Sequence, residues 1–242
     1  MKRYNLLGTL ALLALWWLLA RMMPPLTMAS PWTAITTALR LLGDAHFLTV
    51  HLAVTLTRVS CALVLGSLGG FILGLIAGSS ARIMAFLEPF RRVLTGIPGI
   101  VVAVLAMLWF GLGSRMAIFI GSVFILPVVY LNIAESLRRG DRALLDVVTV
   151  YRLPLMLRIR YLYTPLIGAA LASSLTLVIG NCMRLIILAE VLGAGEGLGY
   201  LLSLAKARLD MPMLYGTVLI SLLFVWSGEM LVTRLLARCV HG

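Results

Sequence analysis

The sequence predicts an all-α membrane protein with about six transmembrane helices. Three observations predict it. Of 242 residues, 62% are hydrophobic and only 12% charged, about half the charged share of a soluble domain, and the mean hydropathy is +1.06. The apolar residues gather into six runs, at roughly 5–20, 50–78, 93–110, 115–133, 166–190 and 213–236. Runs of this kind cross a hydrocarbon core of about 30 Å, although the first and third are short for it. The basic residues fall between the runs. A strand-built outer-membrane barrel would alternate apolar and polar residues and be less hydrophobic overall. The net charge of +11 does not imply nucleic acid as a partner, because it forms no single patch. It fits a positively charged cytoplasmic membrane face.

The first run, in MKRYNLLGTLALLALWWLLARMM, has the layout of a signal peptide without a small-x-small cleavage site, and is expected to stay as a membrane helix. Residues 21–49 differ. Ser30 is placed to cap a helix that has Pro31 in its first turn, and Ile35, Ala38, Leu39 and Leu42 share a face. This predicts an amphipathic helix along the membrane surface.

The second run carries Gly66, Gly70, Gly74 and Gly78. A spacing of four sets them along one side of a helix, where a second backbone can approach closely. The partner helix is not named by the sequence.

Orientation follows from the basic residues. With the N-terminus in the cytoplasm, the inner segments hold Lys2, Arg3, Arg82, Arg91, Arg92, Arg138, Arg139, Arg142, Arg152, Arg158, Arg160, Arg234 and Arg238. The outer segments hold Arg21, Arg40, Arg115, Lys206 and Arg208, so the bias is thirteen against five. Both termini are therefore expected in the cytoplasm.

Enzymatic chemistry finds no support. The GxxxxGK[ST], HExxH and GxSxG patterns are absent. Cys61, Cys182 and Cys239 form no CxxC or Cys/His cluster and read as small hydrophobes. His46, His51 and His241 lie at expected membrane edges or the terminus. Arg58 and Arg184 lie within or at the edge of runs, where an ionisable group needs a partner or a watery cavity. Arg184 and Asn181 fit the side of a translocation path, and equally an arginine that snorkels or makes an assembly contact. Glu190 stands six residues from Arg184, which does not place the two on one helix face. Glu229 fits a buried position against another helix or, with Arg234 and Arg238 close behind it, the cytoplasmic edge, which is the expected place.

The fourth and fifth runs are separated by a basic interlude, residues 134–165. Within it Leu144, Leu145, Val148, Tyr151 and Leu155 fall at helical spacings, and Arg138, Arg139, Asp141, Arg142 and Asp146 supply a polar side. The pattern predicts a short amphipathic helix outside the bilayer. It suits anionic lipid, and it suits a groove on a soluble partner.

Four stretches carry a family resemblance. LLDVVTVYR…YTP resembles a cytoplasmic signature of Glu-Ala-Ala, a later Gly and a Leu-Pro, with Asp146, Val147, Val148, Arg152 and Thr164-Pro165 in those places. LEPFRRVLTGIPGI at 87–100, LWFGLGSRMAIFI at 108–120 and AEVLGAGEGLGYLL at 189–202 are similar to three further segments of the same family. The chain thus resembles the transmembrane permease subunit of bacterial ABC importers, in the branch that handles nitrate, taurine and alkanesulfonates. It departs from the pattern at both valines, at Arg152, and in Pro154, which pushes Leu153 before it towards extended conformations.

The resemblance implies a type I importer permease fold made of one domain, 1–242. An N-terminal helix and periplasmic surface helix would occupy 1–49, and the transmembrane core 50–242, with the cytoplasmic coupling loop at 134–165. It implies a location in the bacterial inner membrane and import of a small solute, an organic or inorganic anion. Partners would be two ABC ATPase subunits, a second permease copy in a homodimer, an extracytoplasmic solute-binding protein and membrane lipid. No cofactor or metal is expected on this chain, since ATP and Mg would bind the ATPase. Coupling would fall to Arg142, Leu145, Asp146, Val148, Tyr151, Arg152, Leu153 and Pro165, and the pathway to Arg58, Pro98, Asn181, Arg184 and Glu190. The competing class is a secondary transporter or channel driven by an ion gradient without an ATPase, but no internal repeat supports it. A membrane scaffold with no transport role is the other competitor.

Overall fold

The computed structural model of the chain describes residues 2–24, 26–138 and 154–241. Among these residues every regular element is helical. In chain order they are α1 (Lys2–Met22), α2 (Pro31–Gly43), a π-helical turn (Phe47–Leu52) running into α3 (Ala53–Ser79), α4 (Ala81–Gly96), α5 (Gly99–Phe110) and α6 (Ser114–Arg138). After the interlude come α7 (Leu155–Arg158), a second π-helical turn (Ile159–Tyr163), α8 (Thr164–Gly193), α9 (Leu198–Ala207) and α10 (Met211–His241). The proposed coupling residues Arg142, Leu145, Asp146, Val148, Tyr151, Arg152 and Leu153 lie outside the described residues. Pro165 lies in the first turn of α8, directly after the second π-helical turn and within a continuous helical run.

Four helical stretches are long and apolar enough to cross a membrane: Phe47–Ser79, Ser114–Arg138, Met156–Gly193 and Met211–Arg234. The pair α4 and α5 qualifies jointly as a fifth, and Leu7–Met22 is a shorter apolar helix. The expected third span, 93–110, is not one continuous helix. It breaks at Ile97–Pro98, and α4 and α5 meet at 96°. The cause is local. Pro98 has no N–H and holds φ at −58°, and Ile97 before it is extended at ψ 128°, as a residue preceding proline tends to be. With twelve residues, α5 is only about 18 Å long, so it does not cross the core alone.

The chain forms two compact units, Met1–Thr57 with Ile187–Phe224, and Arg58–Ile186 with Val225–Gly242. In the first, α2 begins as the sequence predicts: Ser30 accepts a hydrogen bond from the Thr33 N–H at 3.2 Å, and Pro31 follows in the first turn. Of the residues expected on one face, Ala38 turns to the protein. Ala34 and Ala38 are buried, whereas Trp32, Ile35, Leu39 and Leu42 are exposed on the other side. Small residues win the protein-facing side because α10 comes close there, with Gly216 against Thr37 and the Ala38 backbone. Ala38, Phe47, Leu198, Leu201 and Ile220 form the core of this unit. Trp16 of α1 stacks on Tyr215 at 5.8 Å between ring centres and donates to the Ala29 carbonyl.

In the second unit the glycine row of α3 meets α6. A Cβ at Gly66 would lie 2.8 Å from the Ser122 carbonyl oxygen, one at Gly70 2.6 Å from that of Leu126, and one at Gly74 2.9 Å from that of Tyr130. Backbone therefore lies on backbone along about two turns. The turn between α5 and α6 rests on Gly111 and Gly113, whose φ values of +72° and +110° suit glycine and strain other residues.

Candidate functional site

Within the second unit, α6 and α8 present facing residues at helical spacing. On α8 these are Ala170, Ser173, Leu177, Asn181 and Arg184, and on α6 Phe124, Pro127, Val128, Asn132 and Glu135. Two clefts lie along them. One, of about 470 Å³, is lined by these residues from Phe124 to Val128 and from Leu177 to Arg184, together with Thr95 of α4. The other, of about 250 Å³, is lined by Asn132, Glu135, Ser136, Ala170 and Ser173. Residues three and four apart share a helix face, so Ala170 to Arg184 mark one line about 21 Å long. The Asn132 side-chain amide donates to Ser174 at 3.0 Å. The line is polar at both ends and apolar in the middle.

At one end stands an ion pair. Arg184 donates through Nη1 to the Asn181 side-chain oxygen at 3.1 Å, and through Nη2 to Glu229 Oε1 at 3.2 Å. The two side chains keep 61% and 40% of their exposure, which is unusual for charges in apolar helices. Glu229 makes its contact with another helix, one of the two positions the sequence allows. It lies against α8, because Gly180 has no Cβ and leaves the space its carboxylate fills. Gly228 does the same for the thioether of Met183. Glycines at 180 and 228 were the available sequence signal, but nothing in the sequence pairs helices 45 residues apart.

The other pathway candidates lie elsewhere. Arg58 is buried and donates through Nε to Ser114 Oγ at 3.0 Å, just after the Gly111–Gly113 turn. Pro98 sits at the α4–α5 break. Neither lines the two clefts. Glu190 belongs to the first unit and is fully buried there. Its carboxyl group accepts from the Thr55 hydroxyl at 2.9 Å and from the Gly199 N–H at 2.9 Å. Thr55 Oγ1 in turn accepts from the Leu198 N–H at 2.9 Å, and His51 Nδ1 accepts from the Gly197 N–H at 3.2 Å. These groups satisfy the open N–H donors that begin α9, where a carboxylate is also favoured by the helix dipole. Gly197, at φ +106°, turns the chain into that helix. The sequence reasoning did not find Thr55 or His51, which sit more than a hundred residues away in a run that reads as plain membrane helix.

At one end of the groove the candidate site offers a polar cluster of a guanidinium, an amide and a carboxylate. It holds no nucleophile paired with a base. Among the described residues no group of three metal-ligating side chains converges. Such a groove suits passage or transient binding better than bond-making.

Comparison with known proteins shows the family and the fold. The family described as binding-protein-dependent transport system inner membrane component matches residues 70–240. A probable ABC transporter permease protein of Haemophilus influenzae is 31% identical over 202 residues, 81% of each chain. The taurine transport system permease protein TauC of Escherichia coli is 27% identical over 210 residues, covering 82% of this chain and 75% of that one. A putative aliphatic sulfonates transport permease protein, SsuC of Bacillus subtilis, is 26% identical over 156 residues, 64% of this chain and 56% of that one. Among solved structures, a chain of the MetNI methionine ABC transporter in an inward-facing conformation superposes with a TM-score of 0.62 at 17% identity, covering 76% of this chain and 92% of that chain, which supports the type I importer permease fold. The chain is a non-catalytic, multi-pass permease subunit, and it belongs to the family of binding-protein-dependent transport system inner membrane components of ABC importers.

Proposed function

We propose that this permease carries a small anion, an oxyanion or organic acid of the sulfonate kind, along the α6–α8 groove. The observation that carries the reading is Arg184, a cation exposed to a cleft within an apolar helix. A positive charge in a low-dielectric groove concentrates anions there, and a guanidinium matches the oxygens of a sulfonate or carboxylate in paired hydrogen bonds. Two copies form the pathway, both termini lie in the cytoplasm, and an external binding protein delivers the solute. The names of the taurine and sulfonate permease relatives support the same solute class.

Drive comes from separate ATPase subunits that receive residues 143–156. Leu145, Val148 and Tyr151 are the apolar contacts, Arg142, Asp146 and Arg152 the polar ones, and Leu153 and Pro165 the joints to the spans. ATP and Mg bind the ATPase, and this chain needs no cofactor of its own. A rigid helix between two spans biases the membrane arrangement by whatever free energy distinguishes its two docked states.

The test is ATP-driven uptake of taurine and methanesulfonate into vesicles holding permease, ATPase and binding protein. Arg184→Gln is expected to cut uptake at least about tenfold, since hydrogen bonds to a charged group contribute roughly 1.5–3 kcal/mol. A complex that imports only a neutral solute, or an Arg184→Gln complex with full sulfonate uptake, would contradict the anion reading.

A further inference from the structure

We propose that Glu229 is the resident counter-anion of Arg184, and that an anionic solute passes by taking its place. This rests on the anion reading above and adds a second specificity-determining residue to it. In the structure Arg184 is already neutralised. Glu229 reaches it from α10 across the gap that Gly180 leaves, and Asn181 holds the guanidinium from its own helix. These two bonds use two of the five N–H donors of an arginine.

The strength of the pair decides whether displacement is feasible. Glu229 binds through one oxygen at 3.2 Å, long for a charge-assisted bond and without the paired geometry that makes arginine–carboxylate contacts strong. Both side chains keep much of their exposure, and Arg184 lines the cleft. A single bond of that kind is weaker than a paired contact to two oxygens. A sulfonate or carboxylate that engages two N–H groups at once therefore competes successfully. Displaced, the Glu229 carboxylate stays tethered beside Gly180. Its return expels the anion onward and leaves Arg184 neutralised, so a passing anion meets a site of modest affinity instead of a trap. A groove carrying Arg184 alone would hold anions more tightly and release them more slowly.

The test is a calorimetric titration of the purified permease–ATPase complex with methanesulfonate. Glu229→Gln keeps the size of the side chain and removes its charge, and is expected to tighten binding about two- to fivefold. Glu229→Asp withdraws the carboxylate from Arg184 and is expected to act in the same direction, which decides the matter if the glutamine variant does not assemble. Arg184→Gln is expected to abolish binding with or without the Glu229 change. A side chain that only packs α10 on α8 would give unchanged or weaker binding in both Glu229 variants, and that result overturns the proposal. Wild-type binding that is lost in Arg184→Gln but unaltered in both Glu229 variants rejects this proposal and leaves the anion reading standing. Absence of any binding to the wild-type complex rejects both.

Discussion

A Gly74→Leu chain will not give a folded, detergent-stable protein, whereas Gly168→Leu will. Both glycines lie in apolar helices, and composition alone does not separate them. Their surroundings do. A Cβ at Gly74 would stand 2.7 Å from the Ile133 Cβ and 2.9 Å from the Tyr130 carbonyl oxygen, while one at Gly168 would meet nothing within 4 Å. The obstacle at Gly74 is the α6 backbone and a β-branched side chain, neither of which moves aside alone. Gly66, Gly70 and Gly78 pin the same contact on either side, so α3 must shift as a whole. Overpacking a fitted core costs roughly 1–3 kcal/mol, and a clash with backbone belongs at the top of that range or above it. In lipid, where helix association depends on close packing instead of water exclusion, little compensates the loss. Size-exclusion chromatography reads the outcome directly. A monodisperse Gly74→Leu peak at wild-type yield would show that α3 and α6 are not so close.

Glu190→Ala is expected to lower the thermal unfolding midpoint strongly, by an amount equivalent to about 3 kcal/mol. The residue is completely buried. Removing its carboxyl group leaves the Gly199 N–H without its acceptor and the Thr55 hydroxyl without a partner for its proton. Each buried polar group left unpaired costs roughly 1–3 kcal/mol, and the first turn of α9 loses a favourable negative end. Glu190→Gln retains the volume and one acceptor oxygen, so it should fall between alanine and wild type. The check is the melting curve of the detergent-solubilised chain, and a midpoint equal to that of the wild type would remove Glu190 from the structural core. The alanine variant also separates the pathway role expected from the resemblance from the cap seen in the structure. A groove charge would change transport with little effect on stability, and a cap on α9 would do the reverse.

What was legible in the sequence was local. Ser30 and Pro31 marked the start of α2 because capping needs only neighbours, and Gly66 to Gly78 announced a close approach because their spacing is a property of one helix. Which helix came close was not legible, since α6 is distant in sequence and carries no complementary mark. The break at Pro98 was missed because hydropathy is continuous from Val93 to Phe110 and outvoted a single proline. On α2 the apolar stripe was legible and the protein-facing side was not. Hydrophobic pattern ranks Ile35 and Leu39 above Ala34 and Ala38, while close helix packing prefers the alanines. The site was half visible. Arg184 and Asn181 stood out as polar groups in an apolar run, and one turn apart they do meet. Glu229 was visible as a charge but its partner was not, because the pairing is set by the tertiary approach of α8 and α10. Thr55 and His51 carried no signal at all, as a lone threonine or histidine near a membrane edge is common.

The central claim is that a separate ATPase drives this permease through residues 143–156. ATP-dependent uptake into vesicles containing permease, ATPase and binding protein measures it most directly, with Leu145→Asp as the probe. The expected result is uptake by the complete wild-type assembly only when ATP is present, with uptake and retention of the ATPase both lost in the Leu145→Asp protein while its helical content and melting midpoint are unchanged. Normal ATP-driven uptake by the Leu145→Asp assembly, or uptake by the permease alone under an ion gradient without nucleotide, would contradict it.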